Sequence, residues 1–164
     1  VGSRRFVTTP VAGFLPSKEK PMRFMIIVKS TPEFEAETTP QTPDEKVMAA
    51  MADFHEELSR AGVLLDGSGL QPSRKGWRIH YDGQKRTVID GPFTEAKELI
   101  AGFTTIQVRN REEALEWSRR FPNPVGENAA AVIEVRQLYE LDDFEPNAQV
   151  ERFREMDRRS QGPQ

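Results

Sequence analysis

Phe24-Met25-Ile26-Ile27-Val28, behind Arg23, form a short apolar run with no polar residue alternating through it. A strand with one face in water alternates apolar and polar side chains, whereas one covered on both faces reads as a continuous apolar run. The run therefore predicts a central strand, and the rest of the chain has to be arranged around it.

A Pro- and Thr-rich loop is expected from Thr31 to Gln41. Thr42-Pro43-Asp44-Glu45 then offers an N-cap, a proline at the first helical position and Glu at the third, which starts a helix. Val47, Met51, Phe54 and Leu58 fall on one stripe of that helix, and Ala61-Gly62 ends it with a residue free to take positive φ. Val63-Leu64-Leu65 predicts a second strand that runs into Asp66-Gly67-Ser68-Gly69, where its end should bend or bulge. Trp77, Ile79 and Tyr81 alternate with Arg78 and His80, turn at Asp82-Gly83 and continue from Lys85 to Ile89 as a hairpin. Ala101 to Val108 gives a further strand. Asn110-Arg111-Glu112-Glu113 opens a second helix whose Ala114, Trp117, Ser118 and Phe121 share a face until Pro122. The last strand is expected over Ala131 to Tyr139.

With the hairpin set aside, the order is strand, helix, strand, strand, helix, strand, an α+β ferredoxin-like βαββαβ arrangement with an extra hairpin. Two helices cover one face of such a sheet. The other face would expose apolar side chains unless an identical copy covered it, so a homodimer through the sheet is expected. Beyond Asp142 the chain is mixed in charge. Val150, Phe153 and Met156 recur every three residues within Ala148 to Arg159, which fits either a short amphipathic helix or a loosely ordered tail.

Composition excludes several roles. A net charge of -3 from 23 basic and 26 acidic residues argues against a surface built to neutralise nucleic-acid phosphates. With no Cys there is no disulfide, thiolate metal site or Cys nucleophile, which fits a reducing, cytoplasmic setting. His55 and His80 are the only histidines and lack ligand spacing, so no metal is expected. No glycine-rich loop leads into a helix, so no nucleotide cofactor is expected either. No apolar run approaches the roughly 20 residues of a membrane-spanning helix. Val1-Gly2-Ser3 reads as an expression remnant and residues 1–21 as a segment upstream of the domain.

Three stretches carry a resemblance: Ala61-Gly62-Val63-Leu64-Leu65, Gly69-Leu70-Gln71-Pro72-Ser73, and Asp90-Gly91-Pro92-Phe93-Thr94-Glu95-Ala96-Lys97-Glu98-Leu99-Ile100-Ala101-Gly102-Phe103. In order and spacing they resemble the DGPF branch of the YCII-related proteins, as do Glu113-Ala114-Leu115-Glu116-Trp117 and Ile133-Glu134-Val135-Arg136. The likeness covers about Met22 to Phe144, dividing the chain into a leader (1–21), a domain (22–144) and a tail (145–164). It implies a dimeric α/β-barrel with a cleft between the sheet and the neighbouring subunit. Relatives in the wider superfamily include lyases and isomerases of small ring compounds, and genes of the branch often neighbour extracytoplasmic-type sigma factors.

Within Asp90-Gly91-Pro92-Phe93, glycine supplies unusual backbone angles, proline fixes the turn, and the Asp side chain can accept from an amide two residues on. The alternative to a purely structural turn is that Asp90 or Phe93 lines a pocket. Thr94 is expected to cap a helical turn through Lys97, leaving Lys97 and Glu98 able to point toward a cleft. His55, at the margin of the first helix's stripe, could act as a general base if a carboxylate such as Asp66 or Asp90 oriented it. Relatives often carry Asn at that position and His in place of Gln71, so no shared catalytic histidine is implied. Glu134 and Arg136 fall on one face of the last strand with Val132 and Leu138, either at the subunit interface or in a cavity where Arg suits a carboxylate or phosphate.

Two functions follow. One is a small-molecule protein of lyase or isomerase type, with His55 and Asp90 as acid and base and Phe93, Lys97, Glu98 and Arg136 as ligand contacts. The other is a non-catalytic accessory protein linked to extracytoplasmic-type sigma factor regulation, which would leave an apolar surface for a protein partner.

Overall fold

The computed structural model describes residues 20–36 and 44–162; most of the leader, together with Thr42 and Pro43, lies outside them. The elements follow as β1 (Met22–Lys29), α1 (Pro32–Ala36), α2 (Glu45–Arg60), β2 (Leu64–Gly69), β3 (Trp77–Asp82), β4 (Lys85–Asp90), β5 (Ile100–Val108), α3 (Arg111–Arg119), β6 (Ile133–Gln137) and α4 (Ala148–Ser160). β2, β5, β1 and β6 lie side by side in that order, every neighbour antiparallel. This is the ferredoxin-like α+β order, with β1 in the interior as its apolar run requires.

The core lies between this sheet and the helices. Phe24 and Ile26 of β1 and Ile106 and Val108 of β5 meet Phe54 and Leu58 of α2 and Ala114 of α3. Ile26, Leu58 and Ile106 are fully buried, each contributing about 1.5–3 kcal/mol by leaving water. Met25 and Ile27 face the other way, in register with Thr105 and Arg136 and with Phe103 and Glu134 respectively. They are half-buried. Within one chain the double covering expected of β1 is therefore complete on the helix side only.

Asp44, not Thr42, caps α2: its carboxylate accepts from the Lys46 amide at 2.9 Å and adds a negative charge at the positive end of the helix. Gly62, at φ 71°, takes the left-handed conformation that ends the helix. β2 differs from expectation in where it is irregular. Leu65 is an extra residue between the Leu64–Ile106 and Asp66–Thr105 pairs, so the bulge stands at the start of the strand and the glycine-rich stretch is itself the strand. The hairpin forms as read, with Ile79 opposite Val88 and Gly83 in the turn at φ 56°.

Asn110 caps α3 by accepting from the Glu113 amide, while the Glu113 carboxylate accepts from the Arg109 amide. α3 ends at Arg119, before Pro122, and β6 is shorter at both ends than Ala131–Tyr139. Of the two readings of the tail, the helix stands. Asn147 caps α4, and Arg154 meets Asp142, which also pairs with Lys20. Phe153 and Met156 nevertheless remain 58% and 59% exposed, so α4 is not held by its apolar stripe.

Candidate functional site

The site is built from α1, a short helix where the sequence predicts loop. Thr31 accepts the Phe34 amide through its hydroxyl, and Pro32 occupies the first position of α1, so one short turn sets the direction of Glu35. The Glu35 carboxylate accepts from the Ser30 hydroxyl at 3.0 Å, the Ser73 amide at 2.9 Å and the Ser73 hydroxyl at 2.5 Å. Ser73 Oγ in turn accepts from the Phe93 amide at 3.0 Å. Three distant parts of the chain, α1, the loop before β3 and the loop after β4, are thereby latched through one carboxylate. Partial burial pushes the Glu35 pKa up, but hydrogen bonds from the Ser73 hydroxyl and amide and from the Ser30 hydroxyl, together with the positive charge of Arg74, outweigh it. The carboxyl is held below its ordinary value.

Gly91 is needed for a reason other than unusual dihedrals. Its φ is not positive, but a Cβ there would land on the Ser73 carbonyl, and its amide donates to the Gly76 carbonyl at 2.9 Å. The Gly91–Pro92 peptide is cis. The expected Asp90 turn does not form, because the residue two positions on is Pro92, which has no N–H to give. The next amide, that of Phe93, goes to Ser73 instead. Thr94 is likewise not a side-chain cap. The turn Ala96–Glu98 has Glu95 at its N-cap with no side-chain bond, and Thr94 contributes its carbonyl to the Ala96 amide.

These contacts frame a groove of about 510 Å³ lined by Pro32, Glu35, Pro92, Phe93, Ala96 and Lys97 among others. The Arg78 guanidinium stacks on the Phe93 ring, 3.8 Å from its centroid, fixing the ring from the hairpin side. Phe93 and Lys97 are thus brought together at one wall, whereas Glu98 is exposed outside the groove lining. A second cavity, of about 300 Å³, shares α1 as a wall and is lined by Lys29, Phe34, Val47 and Val125 among others.

The remaining candidates lie apart. His55 Nδ1 donates to the Met51 carbonyl at 2.7 Å, which leaves Nε2 to accept from the Thr104 hydroxyl at 2.8 Å. Both ring nitrogens are taken, and neither Asp66 nor Asp90 orients the imidazole. His55 packs over Gly67 instead, where a Cβ would come within 3.2 Å of Nε2. Arg136 and Glu134 occupy the sheet face opposite the helices, where Glu134 stands 3.8 Å from Arg136 and 3.9 Å from Lys29. Asp90 ends β4 opposite Trp77. Among the described residues no group of acidic or histidine side chains could hold a metal ion, and no helix is long and apolar enough to cross a membrane.

Glu35 is the side chain of the candidate site that sequence reasoning missed. The signal was present: Thr31-Pro32-Glu33 has the same cap, proline and acid order that marked the start of α2.

Comparison with known proteins bears on residues 22–142, which match the model of the YCII-related domain. An uncharacterised protein of Rhizobium meliloti (strain 1021) is 31% identical over 80 residues, a stretch that covers 49% of this chain. The chain spans 64% of that relative's length.

Proposed function

The chain belongs to the YCII-related family, and from that footing we propose that it works as a homodimer that binds a small molecule in the groove beside Phe93. The observation that carries this reading is the latch from Glu35 through Ser73 to the Phe93 amide, which fixes the backbone at the Phe93 wall of a groove that Lys97 also lines. The lining sets the Phe93 ring and the Lys97 ammonium beside the Glu35 and Glu95 carboxylates, which suits a small, partly apolar molecule that carries both an acidic group and a hydrogen-bond donor or cation. Acid–base chemistry of lyase or isomerase type draws no support from His55, whose nitrogens are both engaged, and Glu35 is held ionised as an acceptor of three hydrogen bonds. Binding is accordingly the function that the geometry favours.

The test is a thermal-shift screen of small carboxylated metabolites, followed by calorimetry on Phe93→Ala and Lys97→Met. A compound that binds here should lose about tenfold in affinity with each substitution, the scale of one charge-assisted or aromatic contact. If no compound shifts the wild type, or the variants bind as tightly as it does, the groove is not a ligand site.

The accessory-protein reading has one feature in its favour, the outward stripe of α4 at Phe153 and Met156. If it is right, a protein tied to an extracytoplasmic-type sigma factor should co-purify with the wild type and be lost with Phe153→Ser.

A further inference from the structure

The Gly91 amide ties the base of the hairpin together through the Gly76 carbonyl. Among the described residues β3 and β4 pair with each other and join no other strand. Its two faces differ. Arg78, on one face, is turned back onto Phe93. The other face carries Trp77, Ile79 and Tyr81 opposite Asp90, Val88 and Arg86. On it Trp77 is 64% exposed, Ile79 43%, Tyr81 67% and Val88 61%. A lone two-stranded hairpin is marginal in water, and an apolar face of this kind is stabilised only by cover.

We propose that this face is covered by the same face of a second copy, the two hairpins packing across a two-fold axis. This deepens the homodimer reading above and rests on it. Charge points to self-association. The apolar centre is bounded by Arg86 toward the tip and Asp90 at the base, so antiparallel packing of two identical arms sets Arg86 of each against the Asp90 side chain of the other. Asp90 is available for this, since its side chain makes no hydrogen bond or ion pair among the described residues. The Arg86 guanidinium lies over the Tyr81 ring, 4.9 Å from its centroid, and makes no ion pair among the described residues. Area points the same way. Two aromatics at 150–250 Å² each when buried, with two aliphatics, give on the order of 400 Å² per arm. That is about half of the roughly 800 Å² per partner that a stable interface takes, leaving the open sheet face to supply the rest.

The test is sedimentation of the full chain over a concentration series at low salt, comparing wild type with Asp90→Arg, Arg86→Asp and the double exchange. Both positions are exposed, so the substitutions spare the core. Each single reversal should set like charges against each other twice per dimer and weaken association about tenfold or more, and the double exchange should restore it. A wild-type dimer whose affinity neither reversal changes, or whose double variant is no tighter than the singles, would overturn the arm-to-arm packing and leave the homodimer standing. A wild type that stays monomeric throughout would remove both.

Discussion

A methyl group added to Gly91 would meet the Ser73 carbonyl head-on, while at Gly69 it would meet nothing within 4 Å. Neither glycine has positive φ, so the contrast isolates close approach from backbone conformation. Gly91→Ala must push the loop after β4 off Ser73, and with it the Phe93 amide, at a cost of about 3 kcal/mol as overpacking against fixed backbone. Gly69→Ala should stay within about 0.5 kcal/mol. Urea unfolding of the two variants checks this; equal midpoints would mean that the loop yields at no cost. At this scale the sequence was informative about which residues are special and silent on why. Gly91 and Pro92 are conspicuous in the sequence, yet the close approach that demands Gly91 involves a residue eighteen positions earlier, which no local pattern reports. The expected Asp90 turn failed on a fact that the sequence did contain, the missing amide of Pro92.

Elements with a long apolar periodicity were legible and short ones were not. α2 shows its stripe over three turns, and β1 its unbroken run, because the core they face repeats along them. α1 has five residues and buries none of them. Its purpose is to aim Glu35, and one aimed side chain leaves no period. The latch it forms has a pH signature. Glu35 is held below its ordinary pKa in the fold, so the stabilisation it gives is complete above the unfolded value of about 4.3 and is lost as pH falls through the lower folded value. Glu35→Gln keeps the shape but not the charge. The stability gap between wild type and variant should be constant from about pH 7 to 5.5 and shrink steadily as pH falls below about 4.5. Denaturant midpoints taken across that range measure it, and a gap that widens toward acid would reverse the assignment of Glu35 as an ionised acceptor.

For the whole molecule, one chain leaves a sheet with a helix-covered face and an open face, and the sequence argument for a homodimer began from that imbalance. On the open face Met25, Ile27 and Phe103 are half-buried, and among the described residues Glu134 is the acid that stands within 4 Å of both Lys29 and Arg136. If two such faces meet, Glu134 neutralises part of a cationic strip that would otherwise oppose its own copy. Glu134→Lys should leave the single chain's unfolding nearly unchanged, because the side chain is 44% exposed and an exposed pair is worth little. Association should suffer far more. It places three cations on each side of the axis, so the dimer dissociation constant should rise about tenfold at low ionic strength and recover in part at 0.5 M salt, where the Debye length falls to about 4 Å. Sedimentation at both salt concentrations reads this directly. A dissociation constant that Glu134→Lys does not move would place the subunit contact elsewhere than on the open sheet face.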